Sequence, residues 1–298
     1  MYLSYSGFKT YLTCPREYWH RYLGKTRVAT PDNRVNMLYG SAVGTIFEAF
    51  YTEQIWRKPD VPKVLSSMAE PTVRHIIREE VRKGGVFNWA DPKANYGSLE
   101  DLIDEVTKAI PNGLRIIKQH RFLGPVAVAE MKLDFRVGGH TLGGRADFVI
   151  QRIDPHNDII ILDGKGSKHR DKYVDGMQLR WYAMLYRFHH HRAPDKLGFL
   201  FWRWGPDEAI DWVDFTPEGL TDLCKTVLSN IARIEESQAA LQGRNPTTEG
   251  QFPAIPKEKQ CGFCTYLSVC PEGTAATRSP LTLAPGGVAI EDVGLDVP

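Results

Sequence analysis

The stretch Thr141-Leu-Gly-Gly-Arg-Ala-Asp147-Phe-Val-Ile150, followed by Asp158-Ile-Ile-Ile-Leu-Asp163-Gly-Lys165, decides the fold. Before it, Ala127-Val-Ala-Glu130-Met-Lys-Leu-Asp-Phe-Arg-Val137 alternates apolar and polar residues and ends at Gly138-Gly139, so the two segments read as a hairpin with Thr141 to Ile150 as the return strand. After a turn at Asp154-Pro-His-Asn157, the run from Asp158 is apolar enough to lie centrally in a sheet.

Outward from these strands, residues 177–189 have the spacing of an amphipathic helix, 196–204 and 209–215 pair across Gly205-Pro206-Asp207, and 217–241 reads as a long helix. The order βββαββα predicts an α/β fold, a mixed central β-sheet flanked by helices. Upstream, Ser4 caps a helix with Phe8, Tyr11, Leu12 and Tyr18 to Tyr22 on helical spacing and Cys14 in its middle. A loop at 31–36 leads to a helix over 39–57, whose Gly40, Gly44 and Glu48 share one face and allow close backbone approach. Helices over 63–83 and 98–121 complete a mainly helical stretch, 39–122. The expected organisation is one domain over 1–271, its core in 126–241, and a tail over 272–298 that is rich in Gly, Pro, Ala and Thr and disordered.

The chemistry lies where the strands end. Asp147, Asp163 and Lys165 bring two carboxylates and an ammonium to adjacent strand ends, and strand alternation puts Asp163 and Lys165 on one face. Hard oxygen ligands of this kind suit Mg²⁺ or Mn²⁺. In phosphodiester hydrolysis such a metal polarises phosphate and acidifies bound water, while a lysine orients that water or offsets developing charge. A net charge of +1 gives no global attraction to nucleic acid, so such binding rests on the local patch Arg145, Lys165, Lys168, Arg170 and Lys172.

A second constellation is Cys261-Gly-Phe-Cys264, five residues, then Cys270, with Cys14 at the other end of the chain. Four thiolates can hold zinc or an iron–sulfur cluster; one short C-x2-C unit, a third cysteine and a remote fourth lean towards a 4Fe–4S cluster rather than the paired short units of zinc sites. Residues 1–30 and 255–271 are then the cluster-binding segments, and the site joins the two ends. Cys224, on the predicted helix, reads as a buried thiol.

With 298 residues and 42% hydrophobic content, the chain can bury a substantial core. Met1-Tyr-Leu-Ser-Tyr-Ser has neither a basic segment nor an apolar run, no stretch approaches the ~18 apolar residues of a membrane span, and five metal-spaced cysteines suit a reducing compartment. The expectation is a cytoplasmic protein (host cytoplasm if phage-encoded) with no membrane partner. His189-His190-His191 reads as a helix end, and Trp202, Trp204 and Trp212 as packing residues.

In this order, Gly-Arg-Ala-Asp147, Asp163-Gly-Lys165 and Gln178-Leu-Arg-Trp-Tyr182 resemble the core of the PD-(D/E)xK nucleases in their RecB-like branch, whose members carry a Q-x3-Y motif after the catalytic strand. Ser6-x7-Cys14-Pro-x2-Tyr18 and the C-x2-C-x5-C group are similar to the iron–sulfur members, among them AddB-type nuclease domains and CRISPR-associated RecB-like exonucleases. The resemblance covers residues 4–271. It implies a restriction-endonuclease-like core, a 4Fe–4S cluster on Cys14, Cys261, Cys264 and Cys270, and metal held by Asp147, Asp163 and the Gly164 carbonyl, with Lys165, Gln178 and Tyr182 completing the catalytic set. The family's metal-binding histidine, in a G-x3-H pattern, is absent, since Gly40-Ser-Ala-Val-Gly44 ends in glycine. Glu48, on the same helix face, and Glu130, on the first strand, are the candidates for the missing ligand.

The function this implies is a Mg²⁺- or Mn²⁺-dependent DNA exonuclease acting on single strands or DNA ends in recombination, repair or CRISPR-type processing. No P-loop of the form G-x4-G-K-S/T occurs, so the partner expected beside DNA is a separate helicase or recombination protein. The alternative is a catalytically silent DNA-binding or adaptor protein that keeps fold and cluster. A redox enzyme is disfavoured by the lack of a flavin or nicotinamide fingerprint.

Overall fold

The computed structural model describes residues 1–28, 34–124, 126–152, 157–170, 174–246 and 251–277. The expected turn at 154–157 lies outside these except for Asn157, Lys172 lies outside them, and so does the tail from 278 onward. They group into two compact units, the described parts of Met1–Phe8 with Thr30–Arg233 and of Lys9–Ala29 with Ile234–Pro298.

In the first unit the strands are β1 (Tyr2–Ser4), β2 (Val126–Val137), β3 (His140–Gln151), β4 (Ile159–Lys165), β5 (Lys196–Phe201) and β6 (Ile210–Trp212). Gly138 and Gly139 both have positive φ, 56° and 81°, which non-glycine residues resist, and they close the β2–β3 hairpin as the sequence predicts. One edge of β3 pairs antiparallel with β2 along its length. The other edge takes β1, parallel, at residues 141–143 and β4, antiparallel, at 148–151. β5 continues parallel to β4 and β6 antiparallel to β5, giving a mixed six-stranded sheet. β1 was not expected from sequence; three residues are too few to show a period of two.

The helices are α1 (Tyr5–Thr13), α2 (Pro15–Tyr18), α3 (Val35–Thr52), α4 (Val61–Arg82), α5 (Leu99–Gln119), α6 (Gly176–His190), α7 (Pro217–Leu241), α8 (Glu258–Gly262) and α9 (Pro271–Thr277). Ser4 accepts the Gly7 N–H, as a cap should. The single helix expected through Cys14 is broken there: Cys14 is extended at φ −158°, because Pro15 behind it disfavours helical geometry. The first part of the tail expected to be disordered from 272 is instead helical, since Pro271–Thr277 form α9 with proline at its first position.

The core of the first unit packs α3, α4 and α5 onto the sheet. Its centre is aromatic: Phe47 of α3 stacks on Trp202 at 4.3 Å, and Phe148 of β3 meets the same ring edge-on at 5.7 Å. Trp202 is thus a core residue, as its sequence context predicts, while Trp212 is half exposed. Gly166, just past β4, lies against Gly40 of α3; a Cβ on it would stand 2.5 Å from the Gly40 Cα. That contact sets α3 directly over the end of β4.

In the second unit, residues near Cys14 pack on residues from 251 onward. Arg16 donates to the Phe252 carbonyl at 2.9 Å and pairs with Glu272 at 3.5 Å, Tyr18 stacks on Phe252, and His20 stacks on Tyr266.

Candidate active site

Three carboxylates stand side by side on β2, β3 and β4. The β2–β3 ladder pairs Ala129 with Phe148 and Met131 with Ala146, so Glu130 and Asp147 face each other between two paired rungs. The β3–β4 ladder ends at Phe148 opposite Leu162, and the next position brings Asp163 level with Asp147. Beyond it, β4 stays paired only with β5, as Asp163–Phe199 and Lys165–Phe201. The parting of β3 from β4 frees backbone at Asp147, and the Gly164 N–H donates to Asp147 Oδ2 at 2.8 Å. Glu130 has φ 53°, the left-handed region that costs a non-glycine residue ~1–2 kcal/mol.

Asp163 and Lys165 share a face, as alternation requires, and Lys165 Nζ lies 2.5 Å from Asp163 Oδ2. Asp163 is almost wholly buried. Burial and then the neighbouring Asp163 charge push the Asp147 carboxyl up to about 7; burial also raises Asp163, against the opposing pull of Lys165. A buried carboxylate beside a half-buried one, each raising the cost of ionising the other, is a donor set that a divalent cation relieves, so these residues fit such an ion.

α3 supplies the opposite wall. Glu48, Glu130, Asp147 and Gly164 line one cavity of about 330 Å³ together with Gly40 and Gly44. Both candidates for the missing ligand therefore reach the same space as Asp147. The Glu48 carboxyl is raised by burial and then by Glu130. Gly44 faces open space, with nothing within 4 Å of a would-be Cβ. Glu130 pairs outward with Arg145 at 3.4 Å.

On α6, Gln178 Nε2 donates to Asp163 Oδ1 at 2.8 Å and to the Tyr182 hydroxyl at 3.2 Å. The Gln-x3-Tyr pair thus holds the carboxylate of Asp163, the partner of Lys165. Asp175 caps α6 and accepts the Tyr5 hydroxyl, a contact that sequence gave no means to find. Of the basic patch, Arg170 pairs with Asp211, while Lys165 and Lys168 line a cavity beside the carboxylates. The three histidines end α6, as expected.

Cys14, Cys261, Cys264 and Cys270 line one small cavity in the second unit, with His20. The Lys257 N–H donates to Cys261 Sγ and the Gly273 N–H to Cys270 Sγ, both at 3.4 Å. Burial raises the Cys264 and Cys270 thiols. Four thiols on one cavity, two with amide donors, are a donor set that suits a thiolate-ligated group. Among the described residues, however, no three His, Cys, Asp or Glu side chains are gathered as a metal-holding group. Cys224 is buried, apart from this set.

Carboxylates of three strands and a lysine thus stand together where β3 and β4 part, with α3 and α6 packed nearby. The sequence profile of the PD-(D/E)XK nuclease superfamily matches residues 2–271, and the chain belongs to that superfamily. A crystal structure of a Eubacterium rectale protein provisionally described as an exonuclease is similar over 78% of this chain and 79% of that one, at 13% identity and TM-score 0.42. The structure of SSO0001 is similar over 84% and 91%, at 15% identity and TM-score 0.29. A search of curated proteins found no match. No helix among the described residues is long and apolar enough to cross a membrane.

Proposed function

We propose that the protein is a Mg²⁺- or Mn²⁺-dependent deoxyribonuclease of the RecB-like branch, an exonuclease on single strands or DNA ends. The observation that supports this reading above all is the alignment of Glu130, Asp147 and Asp163 across three strands with Lys165 at 2.5 Å from Asp163. Asp147, Asp163 and the Gly164 carbonyl would hold the ion, with Glu48 and Glu130, which line one cavity with Asp147 and Gly164, as further oxygen donors. The bound ion would supply Lewis-acid polarisation of the phosphate and a lowered pKa for water.

The rest is done by the chain. Lys165, with its ammonium against Asp163, is placed to orient the attacking water and to offset charge growing on the phosphate. Gln178 keeps Asp163 in one orientation, and Tyr182 keeps Gln178. The four cysteines would hold a 4Fe–4S cluster with a structural role, which stabilises only the folded state. The protein would act in recombination, repair or CRISPR-type DNA processing, with any helicase a separate partner.

Gly44 in place of the family's histidine favours the rival reading, a DNA-binding protein that no longer cuts. Incubation of end-labelled single- and double-stranded DNA with anaerobically purified protein in Mn²⁺ or Mg²⁺ separates the two. Degradation that Lys165→Ala lowers at least about a hundredfold supports the enzyme. Binding without degradation in either metal supports the rival.

A further inference from the structure

Two cavities of opposite charge meet at Gly40 and Gly164. The one already described is lined by Glu48, Glu130 and Asp147 and by no lysine or arginine. Its neighbour, of about 400 Å³, is lined by Lys165, Lys168, His169 and Arg203 and by no carboxylate. The close approach of Gly166 to Gly40 keeps side chains out of the boundary between them. We propose that the second cavity is a subsite for the nucleotide adjoining the scissile phosphate, recognised through a phosphate group held by Lys168. This rests on the nuclease reading above and names how its substrate is gripped.

Charge gives the ligand its sign, and volume gives its size. Lys165 and Arg203 are paired with Asp163 and Glu105, so the charge of this space that attracts an anion is that of Lys168, which has no carboxylate partner among the described residues. At about 400 Å³ it falls within the range of small-molecule sites, roughly 300–1,000 Å³, and so accommodates a phosphate together with its sugar and base. Met37, 59% exposed at the lining, offers apolar surface to the sugar or base.

The cations differ in how far they are committed. Lys165 is taken by Asp163. Arg203 donates to the Gly166 carbonyl at 2.9 Å, to Glu105 at 3.1 Å and to the Tyr96 hydroxyl, and its guanidinium lies 3.3 Å over the Tyr39 ring. Arg203 therefore acts as a positioning residue: it fixes the carbonyl next to Lys165 rather than reaching for a ligand. Lys168 is exposed, and among the described residues no carboxylate pairs with it; the Tyr96 ring stands 6.0 Å from its ammonium. The Ser167 hydroxyl accepts the His169 N–H and donates to the His169 carbonyl, which shapes the turn that presents Lys168.

The test is binding without turnover. Wild-type protein in EDTA is titrated by calorimetry with a deoxynucleoside monophosphate, with the unphosphorylated nucleoside and with inorganic phosphate. The expected result is that the monophosphate binds more tightly than either other probe, and that Lys168→Ala, checked for unchanged Tm, weakens it at least fivefold. On an oligonucleotide the same variant should raise KM with kcat within twofold and reduce the slope of log affinity against log salt by about one. Arg203→Lys should lower kcat while leaving monophosphate affinity intact. Equal binding of monophosphate by wild type and Lys168→Ala, or none by wild type, overturns the subsite even where DNA is degraded. Lys168-dependent monophosphate binding without DNA degradation leaves the subsite standing and sinks the nuclease reading instead.

Discussion

Asp147 and Asp163 stand level on adjacent strands one position beyond the last rung of the β3–β4 ladder, Phe148 opposite Leu162, and the Gly164 amide that the parting releases donates to Asp147 Oδ2 at 2.8 Å. A ladder that continued would turn that amide into a sheet bond. The fork therefore converts a backbone donor from structural use to holding a carboxylate.

With its carboxyl raised to about 7 in the metal-free protein, Asp147 must lose a proton before it can ligate. A raised carboxylate is protonated below that value, so Mn²⁺ affinity should climb by about tenfold per pH unit up to near pH 7 and level off above it. Calorimetric titration with Mn²⁺ from pH 5.5 to 8.5 checks this. A pH-independent affinity would remove Asp147 from the ligand set.

Gln178→Ala deletes the amide that donates to Asp163 Oδ1. Residues that orient a metal ligand are worth about 10–100-fold in affinity or activity. The variant should lose Mn²⁺ affinity in that range, while Tyr182→Phe, which removes only the hydroxyl behind Gln178, should lose less. An equal loss in both would mean that the tyrosine acts directly.

Gly44→His should fold, because a Cβ there meets nothing within 4 Å and α3 gains from replacing a mid-helix glycine. Its imidazole would enter the cavity of Glu48, Glu130 and Asp147. Tighter Mn²⁺ binding than in wild type is the expected result; unchanged binding would show that Glu48 and Glu130 already complete the site.

Gly166→Ala forces a Cβ to 2.5 Å from the Gly40 Cα, backbone against backbone. Overpacking of this kind costs about 1–3 kcal/mol. Thermal denaturation should show a clear loss of Tm, with the Gly205→Ala control, at a site with nothing within 4 Å, near wild type.

Cys264→Ser should strip iron from anaerobically purified protein and lower its Tm, whereas Cys224→Ser, outside the four-cysteine cavity, should keep its iron. Iron analysis and visible absorbance read both. Full iron in Cys264→Ser would argue against the cluster assignment.

Much of this was legible in the sequence. Period-two alternation, the Gly138-Gly139 turn and the helical spacing of α3 to α7 are local properties, and they located every strand but β1 and the face of α3 that carries Gly40, Gly44 and Glu48. Asp147, Asp163, Lys165, Gln178 and Tyr182 were legible as a set because a motif keeps its spacing along the chain. Tertiary structure alone decided what those residues touch. The level alignment of Glu130 with Asp147 follows from β2–β3 register, the joint cavity with Glu48 from the docking of α3, and the contact of Gln178 with Asp163 from the packing of α6. Lys165 and Lys168 were already a basic patch in the sequence, but that they share a cavity with Arg203 while the carboxylates line its neighbour follows only from folding. Short-range geometry is written in periodicity; contacts between distant residues depend on which elements bury which faces against one another, and that is settled only when the whole sheet and its helices pack.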